Sequence, residues 1–100
     1  MVIKWSNFSK SNLQDFVEYS KMEKPTKYIE NLVNSLSILE NHPESGKFLF
    51  YNNNIAVRQL IYKMHRIIYC IKDNEIHIGA VLHTSKDLES SLKFVNRFFN

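Results

Sequence analysis

Arginines and histidines interrupt a strand-forming stretch that runs from residue 57 to residue 83. Arg58, Arg66 and His83 stand in it at positions where a packed core would not accept an unpaired polar group. Clustered basic side chains can contact a nucleic-acid backbone or an acidic protein, and a histidine can also exchange protons near neutral pH. What these side chains do together depends on whether the fold places them on one surface.

The side chains of a strand point alternately to the two faces of its sheet, so this stretch divides into two sets. We expect one set to face a layer of helices. The other set is half basic and half apolar, and we expect it to form a groove for a partner chain or a nucleic-acid backbone. The set facing the helices is expected to contain Val57, Ile61, Ile67, Tyr69, Ile71, Ile76, Ile78, Ala80 and Leu82. The groove is expected to be lined by Arg58, Leu60, Tyr62, Arg66, Ile68 and His83.

The apolar pattern also predicts the elements around these strands. A short strand, "VIKW", is followed by two helices that form a hairpin; the second begins at Pro25 and ends before Pro43. Connectors as short as "KM" and "DN" join the later strands into an antiparallel meander. The last element is an amphipathic helix with its apolar stripe at Leu88, Leu92, Val95 and Phe98.

Length and composition predict a single domain over residues 1–100 with one core. A hydrophobic fraction of 44% is too high for a disordered chain, and no apolar run is long enough to span a bilayer. We expect a cytosolic protein without a cofactor or a metal site, because Cys70 is the lone cysteine and the histidines lack ligand spacing. The net charge of +3 is a mild basic bias that does not by itself identify a nucleic-acid binder.

Several short segments, in this order, resemble the RelE/ParE superfamily of bacterial toxins from type II toxin–antitoxin modules. They are "VIKWS", "LENHPESGK", "VRQL", "HRIIYCI" and "IGAVLHTSKD", and the resemblance that runs through them extends over nearly the whole chain. The resemblance implies an α+β fold, with a small antiparallel β-sheet packed on an N-terminal helical hairpin and a C-terminal helix. It also implies a cognate antitoxin that wraps an extended or helical segment around the toxin.

The resemblance leaves three functions open: a ParE-like inhibitor that binds DNA gyrase, a RelE-like endonuclease that cuts mRNA in the ribosome without a metal, and a non-toxic binding homologue. In the nuclease, His83 would transfer protons, Arg66 and Arg58 would clamp phosphate, and Lys86 would add a charge or transfer a proton. The long helical hairpin and "HPESG" followed by "VRQL" favour the ParE-like branch. In a gyrase binder the same side chains would be contact or structural residues.

Overall fold

The computed structural model describes residues 1–99 and contains one five-stranded sheet between two layers of helix. The strands lie in the order β1-β5-β4-β3-β2 across the sheet. In chain order the elements are β1 (Ile3–Trp5), α1 (Asn7–Tyr19), α2 (Pro25–Ser35), α3 (Ile38–Asn41), β2 (Lys47–Asn52), β3 (Ile55–Tyr62), β4 (His65–Lys72), β5 (Glu75–His83) and α4 (Leu88–Leu92), followed by a 3₁₀ turn at Val95–Arg97.

Tight turns join β2 to β5 into a four-stranded antiparallel meander. Asn53 and Asn54 between β2 and β3, with φ of 51° and 67°, and Asp73 and Asn74 between β4 and β5, with φ of 54° and 60°, have positive φ at both central positions. Turns of this kind match the twist of the flanking strands, and Asn and Asp adopt them readily. Lys63, with φ of 49°, occupies the β3–β4 turn, where the sequence provides no such residue.

The predicted α+β fold is confirmed, but the first strand corrects its description as fully antiparallel. β1 pairs with β5 in parallel, with Ile3 opposite Ile76. Because β1 and β5 run in the same direction, the start of α1 continues along the same edge of β5. There the Ser6 N–H donates to the Ile78 carbonyl over 2.9 Å, and Asn12 Oδ1 accepts from the Val81 N–H over 2.9 Å. The helix thus satisfies backbone groups of β5 that β1 is too short to reach.

Each face of the sheet carries its own hydrophobic cluster. The face packed against α1 and α2 is called the hairpin face, and the face packed against residues 88–99 is called the C-terminal face. The buried cluster on the hairpin face comprises Tyr28, Leu32, Leu36, Leu39, Ile67, Tyr69, Ile76, Ile78 and Val81. The buried cluster on the C-terminal face comprises Val57, Ile68, Ala80, Leu82, Val95 and Phe98.

An irregularity at Gly79 divides β5 between the two clusters. Ile68 of β4 pairs with Ala80, whereas the next residue, Tyr69, pairs with Ile78, so Gly79 is an extra residue in the ladder. Such a bulge reverses the alternation of side chains beyond it. The expectation that Ile76, Ile78, Ala80 and Leu82 share one face is therefore wrong, since the last two pack on the C-terminal face.

Candidate interaction site

Two histidines lie side by side on the hairpin face at the end of β5. His65 and His83 are directly opposite each other on β4 and β5, and their rings meet edge to face with centroids 5.4 Å apart. His65 is buried, its Nδ1 lies 2.8 Å from the Tyr28 hydroxyl, and the Phe16 ring packs against it. Burial, and then the neighbouring His83, lower the pKa of His65. His65 is therefore a structural residue that favours its neutral form.

His83, the sequence-predicted proton-transfer residue, is exposed. Its Nδ1 accepts a hydrogen bond from the Ser85 N–H over 3.0 Å and lies 2.7 Å from Ser85 Oγ. Because Nδ1 is the acceptor, the proton of the neutral ring is on Nε2. His83 thus has one ring nitrogen for exchange with solvent or a partner. Within residues 1–99, no group of three potential metal ligands comes together here or elsewhere.

Arg66 lies on the C-terminal face, as its pairing with Leu82 requires. Its Nη1 donates to Oε1 of the buried Gln59 over 2.8 Å. Its Nε is buried and has no hydrogen-bond partner among the described residues. One side of this guanidinium is therefore fixed by the sheet, which limits its reach as a phosphate clamp.

Arg58 lies on the hairpin face, because it pairs with Tyr69 in the β3–β4 ladder. Its Nη1 donates to the carbonyl oxygens of Gly46, over 3.0 Å, and Glu44, over 3.4 Å. Its guanidinium also lies 6.0 Å from the centre of the Phe48 ring. Arg58 thus anchors the loop before β2, on the opposite face from Arg66.

The single groove predicted from the sequence is therefore not formed. Leu60 and Tyr62 pack against the hairpin-face cluster, whereas Ile68 is fully buried under the C-terminal segment. The error began in β3, where the predicted alternation assigned Val57 to the helical hairpin. The observed pairing of Val57 with Cys70 places Val57 on the C-terminal face. Because side chains alternate along a strand, all the remaining side chains of β3 also lie on the face opposite to the predicted one.

Lys86 lines a pocket between the C-terminal segment and the sheet, which we call the C-terminal pocket. The pocket has a volume of about 390 Å³. It combines an apolar floor with two cationic side chains and two serines. Its lining is Phe8, Leu82, Lys86, Ser90, Ser91, Phe94, Arg97 and Phe98.

Of these lining residues, the sequence singled out Lys86 as a candidate catalytic residue, and Leu82 and Phe98 as packing residues. Phe98 does pack, and is 2% exposed, but Phe94 is 53% exposed. The available signal was that Phe94 and Arg97 lie off the apolar stripe of the last helix. The Arg97 guanidinium lies 5.3 Å from the centre of the Phe94 ring, so the two form one unit at the pocket rim.

A second cluster, in which a half-buried arginine lies beside two exposed aromatic rings, is found at the outer edge of the sheet, and we call it the Arg58 patch. It consists of Arg58 and the rings of Phe48 and Tyr51, whose centroids are 4.9 Å apart. Phe48 is 41% exposed and Tyr51 is 69% exposed. β2 lies at the end of the strand order, so this patch borders a strand with a free edge.

Cys70 has no place in either cluster. It is buried on the C-terminal face, and burial raises the pKa of its thiol to about 11. A thiol that stays protonated at neutral pH is a poor nucleophile. Cys70 is therefore a packing residue.

The family of the chain follows from comparison with known proteins. A family model described as "ParE toxin of type II toxin-antitoxin system, parDE" matches residues 3–88. The chain belongs to the ParE toxin family. Membership in this family implies an antitoxin as a partner of this ParE-family toxin.

One solved structure supports the same fold for this ParE-family toxin. A chain from the "Chromosomal ParDE TA system from P. aeruginosa" is similar with a TM-score of 0.65 and 20% identity, over 83% of this chain and 95% of that one. A chain of the YoeB dimer from Staphylococcus aureus is similar with a TM-score of 0.48 and 25% identity, over 80% and 92%. No curated protein matches the sequence. None of the helices in residues 1–99 has the length and apolar character needed to cross a membrane.

Proposed function

We propose that this ParE-family toxin arrests bacterial growth in the cytoplasm by binding DNA gyrase, and that a cognate antitoxin neutralises it. The observation that carries the proposal is the separation of the groups needed to cleave RNA. Acid–base catalysis requires its proton donor and its phosphate clamp to reach the same reacting group. His83 lies on the hairpin face and Arg66 on the C-terminal face, where it is tied to Gln59. Arg58 shares the hairpin face with His83, but it pairs with Tyr69, four residues along β4 from the partner of His83 and thus roughly 13 Å away. The Arg58 guanidinium is also bound to the Gly46 and Glu44 carbonyls.

The Arg58 patch supports an inhibitor that acts by binding. Aromatic residues and arginine are the residue types that dominate the binding energy of protein interfaces. Phe48 and Tyr51 are exposed although apolar burial would stabilise them, and Arg58 is held beside them by the Gly46 carbonyl. We assign this patch to the contact with gyrase, because its rigid support limits the entropy lost on binding.

The proposal is tested by induced expression with simultaneous pulse-labelling of DNA and protein, followed by a supercoiling assay with purified gyrase. DNA synthesis is expected to fail first, and the purified toxin to inhibit supercoiling. Tyr51→Ala is expected to raise the inhibitory concentration roughly 10-fold, as for an interface anchor. Tyr19→Ala, which removes another exposed tyrosine at the end of α1, serves as the matched control and is expected to change little.

His83→Ala separates binding from RNA cleavage. A gyrase binder is expected to retain its toxicity in this variant, whereas loss of a proton-transfer group would lower a nuclease rate by about 10²–10⁴-fold. Collapse of protein synthesis before DNA synthesis, with loss of toxicity in His83→Ala, would favour the RelE-like endonuclease. Unimpaired growth on induction would favour a non-toxic binding homologue.

A further inference from the structure

We infer that the C-terminal pocket binds an acidic segment of the antitoxin, with a bulky apolar side chain on the floor and a carboxylate at the rim. The inference rests on the proposed function, since it takes an antitoxin as the partner. Three features of the pocket support it: an apolar floor, a cationic rim, and a position largely outside the family match.

The floor of the pocket is aromatic and preformed. Phe8 of α1 stacks on Phe98 with ring centroids 5.3 Å apart and 3° between the ring planes, and Leu82 of β5 completes the surface. A cavity of about 390 Å³ over such a floor accepts an apolar side chain. A bound phosphodiester backbone would leave the apolar floor of the pocket in contact with water, so the floor favours a peptide over a nucleic acid.

The rim of the pocket carries positive charge. Lys86 and Arg97 line it, and none of the described lining residues is acidic. Neither side chain forms a salt bridge with a described residue. The acid next to Lys86 in the sequence, Asp87, is used to begin α4, where its carboxylate accepts from the Ser90 hydroxyl over 2.6 Å and the Ser90 N–H over 3.4 Å. A carboxylate on the partner therefore complements this rim.

The position of the pocket gives it a role in partner choice. The family match ends at residue 88, and five of the eight lining residues lie beyond it. These five are Ser90, Ser91, Phe94, Arg97 and Phe98. Most of the pocket thus belongs to the part of the chain that the family pattern does not describe, whereas Phe8, Leu82 and Lys86 lie within the match. Its contacts select the cognate antitoxin from the antitoxins of other ParE-family toxins.

The test measures the affinity of the purified full-length toxin for the antitoxin encoded beside its gene. The variant combines Lys86→Glu with Arg97→Glu, two exposed positions. If each rim charge contributes as an interface hot spot, the dissociation constant is expected to rise roughly 100-fold. Phe94→Ala is expected to raise it roughly 10-fold, and Tyr19→Ala to leave it within about 2-fold.

The matched control combines Lys21→Glu with Lys24→Glu, which changes the net charge equally in the exposed link between α1 and α2. This link lies at the opposite end of α1 from Phe8, roughly 20 Å along the helix axis. Long-range attraction alone would weaken both double variants equally, and that result would overturn the inference. Circular dichroism and thermal melting of each variant confirm that it is folded before its affinity is compared.

The outcomes also separate this inference from the proposed function. If the wild-type toxin does not bind the antitoxin at all, the proposed function fails. If the wild type binds and the rim variants bind equally well, only the pocket assignment fails. Retained antitoxin binding together with loss of a DNA oligonucleotide complex, or of a toxin dimer, would assign the pocket to that other occupant and overturn the inference.

Discussion

Removal of the Tyr69 hydroxyl is expected to destabilise the toxin, because this buried group holds the loop before β2. Tyr69 is 0% exposed. Its hydroxyl donates to the Pro43 carbonyl over 2.7 Å and accepts from the Gly46 N–H over 2.9 Å. Tyr69→Phe leaves the buried Gly46 N–H without its partner, while the ring still fills the core. An orphaned buried donor costs about 1–3 kcal/mol, so the free energy of unfolding should fall by about 2 kcal/mol.

Urea denaturation at 25 °C, followed by the fluorescence of Trp5, measures this loss. For a urea slope of about 2 kcal/mol/M, the midpoint should fall by about 1 M. The melting temperature of a domain of this size should fall by roughly 8–16 °C. Tyr51→Phe removes an exposed hydroxyl and should change the free energy of unfolding by less than about 0.5 kcal/mol. If the two variants are equally stable, Tyr69 does not hold this loop as argued.

Three further perturbations test the packing around the sheet. Ser6→Ala removes the side chain that caps α1 and donates to the Gly79 carbonyl over 2.9 Å, so urea denaturation should show a loss of about 0.5–2 kcal/mol. Gly79→Ala places a Cβ 2.6 Å from the Phe99 ring and should cost about 1–3 kcal/mol; the cost should shrink in a Phe99→Ala background, which a double-mutant cycle measures. His65 has a pKa below its usual 6.5 in the folded state, so the unfolded chain binds more protons. Its contribution to stability is then full above about pH 6.5 and is lost as the pH falls from there towards the folded pKa, and His65→Asn should flatten this part of a stability–pH profile.

Local patterns in the sequence were sufficient to predict most of the elements. The apolar recurrence at steps of three and four predicts the buried side of the second helix, at Tyr28, Ile29, Leu32, Val33, Leu36 and Leu39. Four of these six are buried, Ile29 is partly buried, and Val33 is 37% exposed. That helix is nevertheless interrupted: α2 ends at Ser35 and α3 begins at Ile38. The apolar spacing alone does not reveal this break, because Leu36 and Leu39 stay in phase with the core on both sides of it.

The location of the C-terminal pocket could not be predicted from the sequence, because it depends on the register of the strands and on the extra residue in β5, Gly79. An unbroken alternation would have put Ala80 and Leu82 on the hairpin face and left the C-terminal face open as a basic groove. The bulge at Gly79 instead places these two side chains on the C-terminal face, where Val95 and Phe98 pack against them. The C-terminal segment can therefore bury its apolar stripe on the very face where the groove was expected.

The same bulge explains why the pocket has the composition that it has. Once Leu82 faces the C-terminal segment, Lys86 follows it within the turn into α4 and reaches the same side of the sheet. Arg97 and Phe94 lie across from it because the apolar stripe fixes Val95 and Phe98 against the sheet and leaves their neighbours at the rim. A glycine at position 79 favours this arrangement, since a Cβ there would lie 2.6 Å from the Phe99 ring and 3.0 Å from the Phe98 Cβ. The cationic rim is thus a consequence of how the core is divided between the two faces, and that division depends on strand register rather than on the identity of any single charged residue.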